Sequence, residues 1–273
     1  MQPALERLFE RMVFGPEVDP AKPEEVKALL ARCELPEEDS AAVAEDFARL
    51  SVYRKLVRGT LREAIELAIP RTIFRLGGLF QEYFDRFLDQ RGPRTHFLRD
   101  VTPEFLDFCA GEWKADARVP PWMSDLARHE SLRIEIGAMP TLPPPEDPEE
   151  LALDRGVRFT EASALMRYDF AVQRLSADEQ DLGEPAREPT MLFVYRSPDH
   201  EVRYLELSPL AHAILRGLRD ERLSLRAALE RAVAELGVPL VQGVLEGSAR
   251  LLADLAERGA LLGAVELVKD CQP

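Results

Sequence analysis

SVYRKLVRGTLREAIELAIPRTIFRLGG, residues 51–78, decides the fold of the first half of this chain. Apolar residues recur here at steps of three, four or seven, the spacing of one face of an α-helix. The stripe consists of Val43, Phe47, Leu50, Val57, Leu61, Ile65 and Ala68. Because Pro70 cannot donate to the helical hydrogen-bond ladder, the helix must stop or kink there. The stretch therefore predicts a long amphipathic helix that restarts after Pro70 and ends at Gly77-Gly78.

Three polar side chains of this stretch, Tyr53, Arg54 and Arg58, are candidates for a special role. Arg54 falls in phase with the apolar stripe, so its guanidinium must reach solvent or find a carboxylate or carbonyl partner. Intramolecular pairing is the favoured interpretation. The alternative is a contact to another protein, because Arg and Tyr are overrepresented at interface hot spots.

Helical spacing continues on both sides of this stretch and predicts a helical bundle over residues 1–139. One helix there is expected to begin with Thr102 as its N-cap and Pro103 at its first position. Residues 140–150 are rich in proline and acidic residues, a composition that cannot pack and favours an extended linker.

The linker is followed by residues 151–273. At the start of this part, apolar residues recur at every second position, the period of a β-strand, instead of at the helical period. Alternation from Ala162 to Phe170 predicts a strand, and the runs at 190–196 and 201–207 predict a hairpin. Three helices follow, and residues 265–268 are expected to return as a wing or a terminal strand. The whole chain is thus predicted to be mainly α, with a smaller C-terminal α+β domain of winged-helix type.

The charge of the chain is strongly negative but uneven. The formal net charge is −14, whereas residues 51–100 carry ten Lys and Arg against six Asp and Glu, a balance of +4. Overall acidity argues against a protein whose main work is to neutralise phosphates. The third C-terminal helix, at about 240–258, carries a net charge of −1, so we do not expect nucleic acid as a partner. A DNA-binding transcriptional regulator remains the alternative function, because the winged-helix pattern permits it.

No catalytic constellation is recognisable. Asp125 and His129 lie four residues apart beside Glu130, but a third metal ligand at suitable spacing is missing. The chain has no nucleophile elbow and no glycine-rich phosphate loop. We therefore expect no enzyme activity and no cofactor.

The expected compartment is the cytoplasm. The three cysteines, Cys33, Cys109 and Cys271, are widely spaced and odd in number, which fits a reducing compartment. The N-terminus lacks the pattern of a secretory signal, and no apolar run is long enough to span a membrane.

Strand 201–207 suggests a second kind of partner. An exposed strand edge beside an apolar helix face can accept an extended peptide as an added strand. The candidate peptide-binding residues on this strand and on the third helix are Val202, Tyr204, Leu205, Leu245 and Leu252. The sequence leaves open which face of the strand is buried.

Several motifs in residues 3–138 resemble a bacterial family conventionally labelled as DNA-binding, which includes the C subunit of the methanobactin biosynthesis pair. They are Leu50-Ser51-Val52-Tyr53-Arg54 through Pro70 to Gly77-Gly78, then Phe80 to Leu88, Pro120-Pro121-Trp122, and Asp125-Leu126-Ala127-Arg128 with Glu130. Separately, the segment from Leu207-Ser208-Pro209 to Ala256-Glu257-Arg258-Gly259 resembles the peptide-binding fold of the pyrroloquinoline quinone peptide chaperone.

The two resemblances together imply an accessory subunit of a multinuclear iron-dependent oxidase of TIM-barrel fold. In such pairs the oxidase holds the iron and modifies a ribosomally made precursor peptide, and the accessory subunit presents the peptide's leader. The residues expected to dock on the oxidase are Tyr53, Arg54, Arg58 and Arg128. The chain departs from the first family in having Lys55-Leu56 after the Tyr-Arg pair and His129 where an aliphatic residue is common.

Overall fold

The helices of the first half organise the chain. A computed structural model describes residues 2–140, 145 and 149–266, and it confirms a mainly α chain with strands and then helices in its second half. Eight helices precede every strand among the described residues. They are α1 (Gln2–Phe14), α2 (Pro23–Cys33), α3 (Glu37–Glu45), α4 (Phe47–Ala68), α5 (Pro70–Leu76), α6 (Gly78–Gln90), α7 (Leu98–Ala115) and α8 (Met123–Ala138).

The chain packs as two units. One comprises Met1–Ser131 with Ser176–Leu182, and the other comprises Leu132–Leu175 with Gly183–Pro273. The boundary between them along the chain falls inside α8. The linker expected at 140–150 lies largely outside the described residues, so the bounds 1–139 and 151–273 stay predictions.

The quoted stretch forms most of α4, all of α5 and the first residue of α6. Pro70 occupies the first turn of α5, where its missing amide is no loss. Gly77 lies between α5 and α6 with a φ of 54°, a conformation that side chains rarely adopt. The helix breaks predicted at Pro70 and at Gly77-Gly78 are confirmed. The helix after Pro70 ends at Leu76, and Gly78 is already the first residue of the next helix, α6.

Arg54 closes the C-terminal end of α1. Its side chain is buried, and its Nη1 donates to the carbonyl oxygens of Met12 (2.5 Å), Val13 (2.9 Å) and Gly15 (2.8 Å). The last carbonyls of a helix have no partner within the helix, so these bonds satisfy groups that would otherwise be unpaired. Burial lowers the pKa of Arg54, and the nearby Arg58 lowers it further. The pairing of Arg54 with carbonyl groups agrees with the favoured interpretation.

Helix α7 corrects one prediction. It begins at Leu98 and contains Pro103 in its interior, so the expectation that Thr102 and Pro103 start a helix is wrong. The proline removes one main-chain donor, but Val101 and Phe105 on either side of it are at most 1% exposed. Burial of large apolar side chains offsets the loss of one hydrogen bond.

Glu130 of α8 caps the start of α5. Its carboxylate accepts hydrogen bonds from the amides of Arg71 (3.0 Å) and Thr72 (2.9 Å) and from the Thr72 hydroxyl (2.7 Å). The first amides of a helix lack partners within it, and a negative charge there is favourable. Glu130, two residues after the Asp-Leu-Ala-Arg motif, thus has a structural role: it holds α5 to α8.

The second unit combines two small sheets with three helices. Its described elements are β1 (Gly156–Phe159), β2 (Ser163–Tyr168), a 3₁₀ turn (Val172–Arg174), β3 (Thr190–Arg196), β4 (Val202–Glu206), α9 (Pro209–Arg219), α10 (Leu225–Leu236), α11 (Gln242–Glu257) and β5 (Leu261–Val265). Strands β2, β3 and β4 form an antiparallel sheet in that order, and β1 pairs with β5. Phe193 and Tyr195 of β3 pack with Leu215 of α9 and Leu255 of α11 in one core.

The predicted hairpin between β3 and β4 and the three following helices are confirmed. The helix caps are those that the sequence indicates. The hydroxyls of Ser208 and Ser224 accept hydrogen bonds from backbone amides at the starts of α9 and α10, and Gly237 ends α10 with a φ of 64°. Strand β1 was not predicted. The last strand covers 261–265 instead of 265–268, and residues 267 and 268 lie outside the described part.

No helix within residues 2–140, 145 and 149–266 is both long enough and apolar enough to cross a bilayer.

Replacing Arg54 by methionine is expected to lower the free energy of unfolding by about 2–4 kcal/mol, because three buried carbonyls lose a charged donor. Urea denaturation of the full chain measures this difference. The matched control is Lys55→Met at the neighbouring exposed position, which should change the free energy by no more than about 0.5 kcal/mol. Equal effects of the two substitutions would contradict the structural role.

Candidate functional site

The four residues predicted to dock on a partner differ widely in accessibility. Arg54 is engaged with the end of α1. Arg58 is also engaged, since it donates to the carboxylates of Asp85 (2.7 Å) and Asp89 (2.9 Å) on α6. Arg128 is half-buried on α8, where its carbonyl accepts the Ser131 hydroxyl (3.1 Å). The two arginines of α4 therefore have intramolecular roles, and a docking role for them stays a prediction.

Tyr53 is the most accessible of the four, with 48% of the residue exposed. Its ring meets the ring of Phe9 edge-on at 5.7 Å between centroids. Val52 and Leu56 on the same turn of α4 are 56% and 64% exposed, and Phe9 of α1 is 40% exposed. We call these four residues the α1–α4 patch. Contiguous exposed apolar side chains of this kind are typical of protein interfaces.

The second candidate site begins at the outer edge of β4, the last strand of its sheet. Leu207 donates its amide to Met191 (2.8 Å), and Ser197 donates to Glu201 (2.9 Å). Hydrogen-bonded and non-hydrogen-bonded pairs alternate along an antiparallel ladder. Every second residue of β4, starting from Val202, is therefore in a pair that is not hydrogen-bonded to β3. Val202 and Glu206 consequently turn their backbone N–H and C=O groups away from β3. This edge is where a further strand could pair.

An apolar groove lies next to the segment that follows β4. It encloses about 350 Å³ between α9 and α11, and we call it the α9–α11 groove. Leu210 and Ile214 of α9 form one wall, and Val244 and Leu251 of α11 form the other. The groove is continuous with an exposed apolar run before α11, in which Leu240 and Val241 are 45% and 51% exposed. Aliphatic side chains are therefore the natural occupants of this space.

The predicted peptide-binding residues are distributed between this edge and the core. Tyr204 and Leu245 are each 38% exposed, and Val202 is half-buried at the start of β4. Leu205 packs against the core of the unit from its rim, whereas Leu252 is 2% exposed within that core. Leu252 thus belongs to the core on which the groove residues pack. A direct contact with peptide stays a prediction for all five residues.

Sequence reasoning missed Leu210, Ile214, Val241 and Val244 as groove residues. The spacing of apolar residues identifies the inward face of a helix but does not say where two helices leave a gap. One signal was present. Val238-Pro239-Leu240-Val241 is an apolar run immediately before an amphipathic helix, and such a run is unusual in an otherwise charged chain.

A metal site or a nucleophilic thiol would place specific requirements on the described residues. They contain no group of three or more His, Cys, Asp or Glu side chains placed to hold a metal ion. Cys33 and Cys109 are both buried, and burial together with Glu112 raises the pKa of the Cys109 thiol well above its usual range. A thiol in that state is a poor nucleophile.

His129 is a partly buried base on α8. Burial is the main cause that lowers its pKa to about 4, and the positive charge of Arg71 contributes. The imidazole is therefore neutral at pH 7. This property fits a structural position better than that of a proton-transferring group.

Comparison with known families bears on the second unit. Residues 160–256 match the family model described as the HvfC C-terminal domain. The match begins just before β2, includes β3, β4, α9 and α10, and ends at the last turn of α11, so it contains the open edge and the groove. It is consistent with the accessory-subunit family that the N-terminal motifs resemble. No curated protein matches the chain.

The pKa of His129 predicts a pH effect on stability. Between pH 6.5 and 4 the unfolded chain binds a proton at this residue and the folded chain does not, so stability is lost as the pH falls through that range. We expect this residue to lower the free energy of unfolding by about 2–3 kcal/mol across the range. Urea denaturation between pH 7 and 4 should give a shallower pH dependence for His129→Gln than for the unmodified chain. His96→Gln, at an exposed position, should leave the slope unchanged, and identical slopes for all three proteins would contradict the assignment.

Proposed function

We propose that this chain is a non-catalytic accessory subunit that binds a multinuclear iron-dependent oxidase and presents to it the leader of a ribosomally made precursor peptide. The observation that carries the proposal is the outward-facing edge of β4 with the α9–α11 groove close to it. Both lie in the segment that matches the HvfC C-terminal domain.

Peptide capture would proceed by strand addition. An extended segment pairs with the backbone of β4 at Val202 and Glu206, and every second side chain then points to the same side. Aliphatic side chains on that side would fill the groove between Leu210 and Val244. Main-chain hydrogen bonds tolerate variation in sequence, so the groove would supply the selectivity for a leader with regularly spaced aliphatic residues.

The helical half would provide the contact to the oxidase. The α1–α4 patch has an exposed aromatic anchor in Tyr53, and buried aromatic side chains dominate the energy of many interfaces. Arg54 and Arg58 would act by fixing the α1 and α4 helices that present this patch. Arg128 completes the set expected from the family resemblance. In this arrangement the iron and the chemistry belong to the partner, and both proteins would work in the cytoplasm.

Regulation of transcription is the other function that the sequence leaves open. No observation in the second unit favours it. Arg258, which follows the last residue of α11, is already paired with Asp254 of that helix (2.8 Å). Electrophoretic mobility shift at two salt concentrations distinguishes the two functions, because phosphate contacts give a steep salt dependence.

Assembly with the oxidase is the most direct test. Co-expression with a multinuclear iron-dependent oxidase of TIM-barrel fold should yield a complex that survives size-exclusion chromatography, and Tyr53→Ala should release it. Leu67→Ala, which truncates an exposed apolar residue of α4 outside the patch (73% exposed), serves as the matched control. A monodisperse monomer that elutes apart from the oxidase would contradict the proposal.

Strand addition is tested at the backbone of β4. Val202→Pro removes one outward-facing amide at the first residue of an edge strand, a position where proline is tolerated. We expect binding of a fluorescein-labelled leader peptide with regularly spaced aliphatic residues to weaken about 3–10-fold. Val202→Ala keeps the amide and should weaken binding less than about twofold. Equal losses in fluorescence anisotropy titrations would argue against pairing at this edge.

The apolar groove is tested with a charge. Val241→Glu, at a groove residue just before α11 that is 51% exposed, should weaken leader binding about tenfold or more, because a carboxylate must be desolvated beside the bound chain. Leu236→Glu places the same charge at the end of α10, on a leucine that is 39% exposed and lies outside the groove, and should leave the affinity unchanged. Retention of full affinity by Val241→Glu would remove the α9–α11 groove from the proposal.

A further inference from the structure

A second strand edge, on β1, is also open in the second unit. Ala264 lies opposite Val157, yet it donates its amide to Glu149 (2.9 Å) and not to β1. Thr160 donates to Ala260 (3.0 Å) and so faces β5. Because the direction of the backbone groups alternates along a strand, Val157 and Phe159 turn their N–H and C=O groups to the outer edge of β1.

Just upstream of β1, the turn at residues 152–155 meets the start of α10. The carbonyl of Arg155 accepts the amide of Leu225 (2.9 Å), and the carbonyl of Leu153 accepts the amide of Arg226 (2.8 Å), so these bonds satisfy the first amides of α10. These contacts end at Arg155. Among the described residues no backbone hydrogen bond is formed by Val157 or Phe159 at the outer edge of β1.

A cleft of about 850 Å³ lies along this edge of β1. Residues 156–161 form one wall of it and residues 218–224, the end of α9 and the loop before α10, form the other. Side chains of a strand alternate between its two faces, so a cleft lined by six consecutive residues runs along the strand's edge. We call this space the β1 slot. Its volume is ample for an extended segment of several residues.

The charges of the slot favour an acidic occupant. In the loop, Arg219 pairs with Asp220, and Glu221 is paired with Arg231 (2.8 Å). By contrast, Arg158 on β1 and Arg222 on the loop have no ion pair with any described residue. Unpaired guanidinium groups on both walls of a cleft attract carboxylates.

The remaining carboxylates lie at the two ends of the slot. Glu161 follows the end of β1, and Glu266 follows Val265, which is opposite Gly156 at the start of β1. The middle of the slot is therefore basic and its ends are acidic. An occupant is expected to carry its negative charge at its centre.

We propose that the β1 slot binds an extended acidic segment of a partner polypeptide as an added strand, paired with Val157 and Phe159 and held by Arg158 and Arg222. The alternating N–H and C=O groups of a strand edge match another extended backbone, which selects a polypeptide over a compact small molecule. This site is separate from the β4 edge and does not depend on the oxidase or on the leader.

The test uses the full chain and three labelled octapeptides in which valine alternates with Glu, with Gln or with Lys. In fluorescence anisotropy at low salt, the Glu peptide should bind about tenfold or more tightly than the Gln peptide, and the Lys peptide should bind more weakly than either. Affinities that do not distinguish Glu from Gln would overturn the proposal.

Substitutions locate the binding. Arg158→Gln combined with Arg222→Gln should abolish the preference for the Glu peptide. Arg133→Gln combined with Arg187→Gln removes the same charge from exposed positions outside the slot and should preserve it. Val241→Glu in the α9–α11 groove should also preserve it, so failure of leader binding and failure of the slot can be told apart. Loss of the preference in the control pair would show a nonspecific effect of net charge.

Amide hydrogen exchange reports on the backbone directly. The amides of Val157 and Phe159 should become protected when the Glu peptide binds, while those of Val202 and Glu206 should not change. Protection confined to β4 would mean that the peptide occupies the other edge, and the β1 slot would then be refuted.

Discussion

The contact of the Arg54 guanidinium with the last carbonyls of α1 is the constraint on which the helical half depends. One nitrogen of the side chain serves Met12, Val13 and Gly15, and this holds the end of α1 against the middle of α4. Arg58, one turn later, reaches Asp85 and Asp89 and so ties α6 to the same helix. A lysine could not replace Arg58 fully, because its single ammonium lacks the fork of donors with which Nη1 and Nη2 reach the two carboxylates. The basic character of this stretch thus serves packing more than recognition.

The structure also divides the residues proposed to contact partners into exposed and buried ones. Tyr53 and Leu245 are exposed, whereas Arg54 and Leu252 stand behind them in the packed interior. The same division applies to Glu130, which comes from a family-like motif and yet is used to cap α5. A residue of a family-like motif can therefore position the helices that form a surface without lying on that surface itself.

The sequence predicts best where a local rule acts alone. Pro70, Ser208, Ser224 and Gly237 each punctuate the chain as expected, because proline, hydroxyl caps and left-handed glycines follow from a few neighbouring atoms. Pro103 breaks the same kind of rule, since burial of Val101 and Phe105 outweighs one lost bond. Strand β1 escapes detection because it is four residues long and pairs with β5 about a hundred residues later. The α9–α11 groove escapes because a gap between helices is a tertiary property, as are the carbonyl partners of Arg54.

Two strand edges with outward-facing backbone groups have a consequence for the chain by itself. Backbone pairing requires no particular side chain, so an edge that accepts one extended segment can accept another copy of the same protein. The charged residues along these edges, Arg203 and Glu206 on β4 and Arg158 on β1, then act as gatekeepers against association between copies. Colloidal stability of the chain and the proposed recognition of partners would thus depend on the same few positions, and apolar replacements there would favour aggregation.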